Sequence, residues 1–81
     1  MIEVLENKII YKSNNMEVGY ILFSNISDNE ISIDKVYVKE NKRGEGIASK
    51  MLEYAYEYFK NKNIKIIYKC SYSRKWSDKV I

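Results

Sequence analysis

The residues best suited to chemistry lie at positions 43–49, where the sequence reads Arg-Gly-Glu-Gly-Ile-Ala-Ser. Gly44 and Gly46 let the backbone turn tightly and approach a ligand without interference from a Cβ atom. A helix is predicted to begin at once, and its first turn offers unpaired N–H groups and the positive end of the helix dipole. The segment therefore predicts an anion site, with phosphate as the usual occupant. The alternative is an ordinary turn without a ligand.

Two familiar phosphate loops do not fit this segment. A P-loop needs a glycine five positions after Gly44, and the chain has Ser49 there. A dinucleotide-binding turn needs a third glycine three positions after Gly46, which is again Ser49. The anion site is therefore neither a nucleotide-hydrolase loop nor a Rossmann turn.

The composition removes several kinds of chemistry. The 81 residues include no histidine and one cysteine, so the commonest general base is missing and no metal site is expected. Cys70 has no partner for an internal disulfide, which favours a reducing, cytoplasmic setting. Charges occur throughout the chain and its start lacks a basic, then apolar, leader pattern, so we expect neither a membrane partner nor a signal peptide.

The net charge of +3 is unevenly distributed. Residues 1–40 carry four basic and seven acidic side chains, a net charge of −3, whereas residues 41–81 carry ten basic and four acidic ones, a net charge of +6. An anionic partner should therefore bind the second half. Lys60, Lys62, Lys65 and Lys69 form a basic run, but no nucleic-acid motif accompanies it, so nucleic acid is the less favoured partner.

The first 40 residues have the pattern of antiparallel strands. Short apolar runs at 9–11, 16–23 and 31–38 are separated by turns rich in Asn, Asp and Ser. In the third run, the apolar positions change from odd (Ile31, Ile33) to even (Val36, Val38). One extra residue around Asp34 and Lys35 would return them to a common face, which predicts a β-bulge. The alternative is a strand without a bulge, half-buried on both faces.

The second half has the pattern of a β-α-β unit. Apolar residues recur at helical spacing over 46–60, and a strand follows over 64–68, so it should run parallel to the strand before the helix. The tail over 71–80 predicts a short helix with Tyr72, Trp76 and Val80 on one stripe. The expected fold is a mixed α/β (α+β) sheet: N-terminal antiparallel strands, the β-α-β unit and a C-terminal helix, in one domain over 1–81.

Val-Tyr-Val at 36–38, then Arg-x-x-Gly-x-Ala at 43–48 and Met-Leu at 51–52, resemble the GNAT superfamily of acetyl-CoA-dependent N-acetyltransferases. The run 35–67 with Cys-Ser-Tyr at 70–72 is similar to the short YjdJ-like GNAT proteins. The resemblance implies acetyl transfer to an amine and a minimal GNAT fold. It also implies acetyl-CoA as the co-substrate, with no metal.

The resemblance further implies roles for individual residues. Backbone amides from Arg43 to Ser49 would bind the pyrophosphate of coenzyme A, and Val36, Tyr37 and Val38 would pair with its pantetheine arm. An N–H of that strand would polarise the thioester carbonyl. The arm would lie between that strand and the next, which we expect to end at Cys70. The implied coenzyme-binding residues are Val36, Tyr37, Val38, Arg43, Gly44, Glu45, Gly46, Ile47, Ala48 and Ser49.

The sequence leaves more than one interpretation for each candidate catalytic residue. Cys70 is interpreted as a buried thiol, as a residue that lines the thioester site, or as a nucleophile. The resemblance implies an acid that protonates the leaving thiolate, often a tyrosine of the last helix, and Tyr72 is the nearest phenol. Asp34, Glu17 and Glu30 are candidate bases, each also interpretable as a surface charge.

The acceptor amine, on a small molecule or a peptide, is not identified by the sequence, and a homodimer is compatible with so small a chain. The alternatives to an enzyme are a non-catalytic acyl-CoA-binding module and a basic interaction domain without coenzyme.

Overall fold

The computed structural model describes all residues from Met1 to Ile81. Five strands form one sheet in chain order; the first four are antiparallel, and the fifth runs parallel to the fourth. This confirms the predicted mixed sheet and its β-α-β unit. The elements are β1 Ile2–Val4, β2 Lys8–Ser13, β3 Met16–Ser27, β4 Glu30–Val38, α1 Ile47–Asn61, β5 Lys65–Tyr68 and α2 Ser71–Val80.

The hydrophobic core lies between the sheet and the two helices. Helix α1 is amphipathic, and its buried residues recur every three or four positions, which places them on one face. They pack against core residues of β2, β3 and β4, and Trp76 of α2 joins the same cluster. The buried residues of α1 are Ile47, Met51, Leu52, Ala55 and Phe59.

The predicted bulge is present in β4. Leu22 of β3 lies opposite Lys35, but its neighbour Phe23 lies opposite Ile33, so Asp34 is the additional residue. The bulge changes the phase of the strand, and Ile33 and Val38 are both buried in the core as a result.

Several details of the sequence prediction were wrong. Strand β1 was not predicted, and β3 continues past Phe23 to Ser27. Strand β5 ends at Tyr68, as the pattern over 64–68 predicted, and not at Cys70, as the resemblance implied; Cys70 is the N-cap of α2. These segments are short or polar at their ends, so hydrogen bonds to neighbouring strands, rather than hydrophobic pattern, determine where they begin and end.

The predicted apolar stripe of α2 is also incorrect in part. Trp76 is buried, whereas Tyr72 and Val80 are about half exposed, at 49% and 59%. The small helix buries Ser73 together with Trp76 instead. Neither helix of the protein has the length and apolar character needed to cross a membrane.

Candidate coenzyme-binding site

Strand β4 is paired along its whole length on one side only. Its pairing with β5 runs from Glu30 to Ile33, where the backbone N–H groups of Lys69 and Cys70 both donate to the Ile33 carbonyl, at 3.0 and 3.3 Å. Past this point β5 leaves β4, while pairing with β3 continues to Val38. We call the separation between β4 and β5 beyond Ile33 the fork. The strand segment 36–38 therefore has one edge free of any strand.

The chain leaves β4 through a short 3-10 turn, Glu40–Lys42, into the glycine loop. The Nε of Arg43 donates to the carbonyl of Val38 at 2.9 Å, which ties the loop to the strand end. Gly44 and Gly46 have φ values of 85° and 78°, in the left-handed region that disfavours side chains. An added Cβ would meet no atom within 4 Å at either position, so backbone conformation rather than space requires glycine there.

Helix α1 begins without a side-chain cap. Its N-cap is Gly46, and the first turn contains no acidic residue. The bond from Lys50 N–H to the Gly46 carbonyl, 3.0 Å, is the first of the helix, so the amides of residues 47–49 lie before the intrahelical ladder. Uncapped amides at the positive end of a helix dipole are suited to bind an anion.

One cleft of about 320 Å³ joins the predicted segments. It brings the free edge of β4, the loop and the start of α1 together with Tyr72 from α2. Of the sequence-predicted residues, Gly44, Glu45, Ser49 and Cys70 do not line it, whereas Lys42, which was not among them, does. The lining residues are Val36, Tyr37, Val38, Lys42, Arg43, Gly46, Ile47, Ala48 and Tyr72.

A second cavity, of about 600 Å³, adjoins the cleft at Tyr72. It contains Ser49, whose hydroxyl accepts a hydrogen bond from the indole Nε1 of Trp76 at 3.1 Å. Lys75 and Lys79 also line this cavity, and sequence reasoning did not select them. Their four-residue spacing in a predicted helix places them on one face, which was the available signal.

Cys70 and Tyr72 occupy different surroundings. The half-buried Cys70 thiol donates to the hydroxyl of Ser73 at 3.0 Å, and its sulfur accepts from the Ser73 N–H at 3.3 Å. Tyr72 is exposed and lines both cavities. The thiol therefore caps α2 beside the cleft, and the phenol faces the cleft itself.

None of the three candidate carboxylates lines the cleft. Asp34 accepts hydrogen bonds from Ser24 and from Ser32, the latter at 2.8 Å. The hydrogen bond from the Ser24 hydroxyl holds the pKa of Asp34 below its ordinary value against the opposing effect of burial, and Ser32 and the positive charge of Lys69 lower that pKa further. A carboxylate with a lowered pKa is a weak base.

The comparisons with known proteins agree with this geometry. A family model described as GCN5-related N-acetyl-transferase matches residues 8–80. The chain belongs to this family. A search of curated proteins gives no significant match. The finer assignment to the short YjdJ-like group stays a prediction.

Solved structures of the family share the fold. One, described as GCN5-like and from Staphylococcus aureus, is 30% identical with a TM-score of 0.77, and the alignment covers 98% of this chain and 78% of that one. A ribosomal-protein-alanine N-acetyltransferase from Brucella melitensis biovar Abortus 2308 is 17% identical with a TM-score of 0.76, over 90% of this chain and 59% of that one.

A coenzyme-bound structure is also similar. The N-acetylglutamate synthase from Neisseria gonorrhoeae, complexed with coenzyme A and N-acetyl-glutamate, has a TM-score of 0.73 at 11% identity, over 90% of this chain and 18% of that one. This chain thus spans less than two thirds of the length of the Brucella and Neisseria proteins. At these identities the likeness to those two shows the fold alone.

Proposed function

We propose that this chain, as one minimal domain over residues 1–81, transfers an acetyl group from acetyl-CoA to an amine. The observation that carries the proposal is the single cleft that joins the free edge of β4 to the uncapped start of α1. A strand edge suits the amide groups of a pantetheine arm, and uncapped helix amides suit a pyrophosphate. The family assignment supplies acetyl transfer as the reaction.

The coenzyme would lie along the cleft in an extended form. The amides at the start of α1, with Lys42 and Arg43, would hold the pyrophosphate, and the free edge at 36–38 would pair with the pantetheine arm. Lys75 and Lys79, in the adjoining cavity, outnumber Asp78 there and would add net positive charge for the third phosphate of coenzyme A. This arrangement directs the thioester towards the fork between β4 and β5.

The reaction would proceed by direct attack. The lone pair of the amine nitrogen forms a bond to the thioester carbonyl carbon, and the carbonyl electrons move to the oxygen, where a backbone N–H of segment 36–38 stabilises the charge. The intermediate then collapses with cleavage of the carbon–sulfur bond. The sulfur leaves as a thiolate, which takes a proton from the Tyr72 hydroxyl, and the Tyr72 phenolate then regains a proton from water. The amine loses its extra proton to water, since none of the candidate carboxylates lines the cleft.

Calorimetry with coenzyme A and with acetyl-CoA at low salt tests the binding step. Thiol release on addition of spermidine, or of a lysine-containing peptide, to protein and acetyl-CoA tests the transfer, with thiol release without an acceptor as the control for hydrolysis. Absence of heat with both coenzymes would contradict the proposal and would favour a basic interaction domain.

A non-catalytic acyl-CoA-binding module is the second candidate. It is favoured by the absence of a candidate general base from the cleft lining and by the lowered pKa of Asp34. It predicts the same heat of binding with coenzyme A, but no thiol release above hydrolysis with any amine tested. The two assays together therefore separate the three functions.

A further inference from the structure

A three-residue cluster lies at the fork, on the opposite side of the sheet from the core residues Ile31 and Ile33. Ser24 of β3 is paired in register with Ser32 of β4, and both hydroxyls donate to the carboxylate of Asp34, the bulge residue. Ser32 is only 1% exposed, and Asp34 is the hydrogen-bond partner of its hydroxyl.

The cluster coincides with two structural changes in β4. On the β3 side, Asp34 is the residue without a register partner. On the β5 side, the last two bonds across from β5 end on the carbonyl of Ile33, the residue just before Asp34. The path that β4 takes at Asp34 therefore determines where the free edge at 36–38 lies relative to β5.

Because side chains alternate along a strand, the core residues Ile33 and Val36 confine the extra residue to position 34 or 35, but they do not choose between the two. A carboxylate that accepts one bond from the neighbouring strand and one from its own strand fixes that position. Displacement of the bulge would break both bonds and leave the Ser32 hydroxyl buried without a partner, which is costly.

We propose that Ser24, Ser32 and Asp34 form a clasp that holds the bulge in place and thereby keeps the fork open for the pantetheine arm. Asp34 is a positioning residue in this proposal and does not touch the reacting atoms. The part concerning the pantetheine arm rests on the proposed function. The part concerning the bulge rests on the geometry of the strands alone.

The first test compares Asp34→Ala with Asp34→Asn. Asparagine keeps an acceptor oxygen for one serine and adds an N–H₂ donor for the oxygen of the other, whereas alanine removes both bonds. We expect the Kd for coenzyme A to rise by about 10-fold in Asp34→Ala and by no more than about 2-fold in Asp34→Asn. An equal rise in both variants would overturn the clasp, because it would mean that the charge matters rather than the bonds.

A control variant distinguishes a specific effect on coenzyme binding from the effect of a general loss of stability. Ile9 is fully buried in β2, away from the fork. Ile9→Val or Ile9→Ala, whichever loses as much thermal stability as Asp34→Ala, should leave the Kd for coenzyme A unchanged. A rise in Kd that follows the loss of stability in all variants would contradict a positioning role.

Hydrogen exchange of the protein without coenzyme provides an independent measurement. In Asp34→Ala we expect faster exchange of the Lys69 and Cys70 amides, which donate to Ile33, with little change in β2. In Asp34→Asn their exchange should stay close to that of the unaltered protein. Faster exchange throughout the sheet, as in the Ile9 control, would overturn the clasp. If the unaltered protein does not bind coenzyme A, the proposed function fails, and the exchange pattern still decides whether the clasp holds the bulge.

Discussion

The two edges of strand β4 differ in how far they are paired with other strands. The edge towards β3 is paired from Glu30 to Val38, with Asp34 as its single bulge residue. The edge towards β5 is paired only as far as Ile33 and is free at 36–38. Pairing on both edges makes the first part of the strand a structural element. Pairing on one edge leaves the second part able to bind an extended ligand.

The largest expected effect is on stability, in the part of β4 that is paired on both edges. Ile33 is fully buried, so Ile33→Ala should lower the free energy of unfolding by about 2–5 kcal/mol. Val36, in the part paired on one edge, is half-buried, and Val36→Ala should cost less than half as much. Urea unfolding of the two variants measures both values, and equal losses would contradict the division of the strand.

Gly46→Val should weaken the binding of coenzyme A by about 10- to 100-fold, because a β-branched residue strains the left-handed backbone that directs the amides of α1. The matched control is Asn63→Val, which places the same strain at a φ of 58° beyond the other end of α1. Calorimetry should show unchanged affinity for the control. Equal weakening in both variants would indicate that strain, not the loop, is responsible.

Tyr72→Phe should reduce the rate of acetyl transfer by about 10-fold with little change in the Kd for coenzyme A, since it removes one proton donor and keeps the ring. Tyr54→Phe, on the exposed side of α1, is the control with the same chemical change. Thiol-release kinetics and calorimetry measure the two effects. A full rate in Tyr72→Phe would exclude Tyr72 as the acid.

Cys70→Ala should keep the transfer rate within about 3-fold of the original if the amine attacks the thioester directly. The variant also loses the N-cap of α2, and its stability should fall by about 0.5–2 kcal/mol. Cys70→Ser restores a capping oxygen and should recover most of that stability. Loss of transfer in both variants, with the fold retained, would instead assign the thiol as a nucleophile.

The smallest effect concerns pH. The pKa of Asp34 is lowered in the folded protein, so its contribution to stability is complete above its unfolded pKa and is lost as the pH falls through the folded value. Between about pH 5 and pH 3, the unaltered protein should lose slightly more stability than Asp34→Asn. The difference should be under about 1 kcal/mol, because the side chain is exposed. A larger loss in Asp34→Asn would contradict the direction of the shift.

The sequence correctly predicted the features whose hydrophobic pattern matches the face that they bury in the fold. The change of parity between Ile33 and Val36 indicated the bulge, because side chains alternate along a strand and both residues must face one core. Helix α1 was predicted to within one residue at each end, since its apolar positions recur with the helical period. The parallel β4–β5 pair followed from the length of the intervening helix.

The sequence did not predict those features that depend on contacts with other elements of the fold. Strand β1 is three residues long and is held by β2, so its own residues carry little signal. Cys70 was placed at a strand end, but Ser73 makes it the cap of a helix. Lys75 and Lys79 were left out because only the packing of α2 beside α1 brings them to the cavity that adjoins the cleft.

By itself, the sequence determined the glycine loop and the bulge. Both depend on residues that are close along the chain. Two glycines permit a left-handed backbone before a helix, and the apolar positions of one strand change from odd to even numbers. Only the tertiary structure decided that β5 leaves β4 at Ile33, that Tyr72 reaches the cleft, and that Ser24 and Ser32 meet on Asp34. These relations join residues that are distant along the chain, and they form only when strands pair and helices pack.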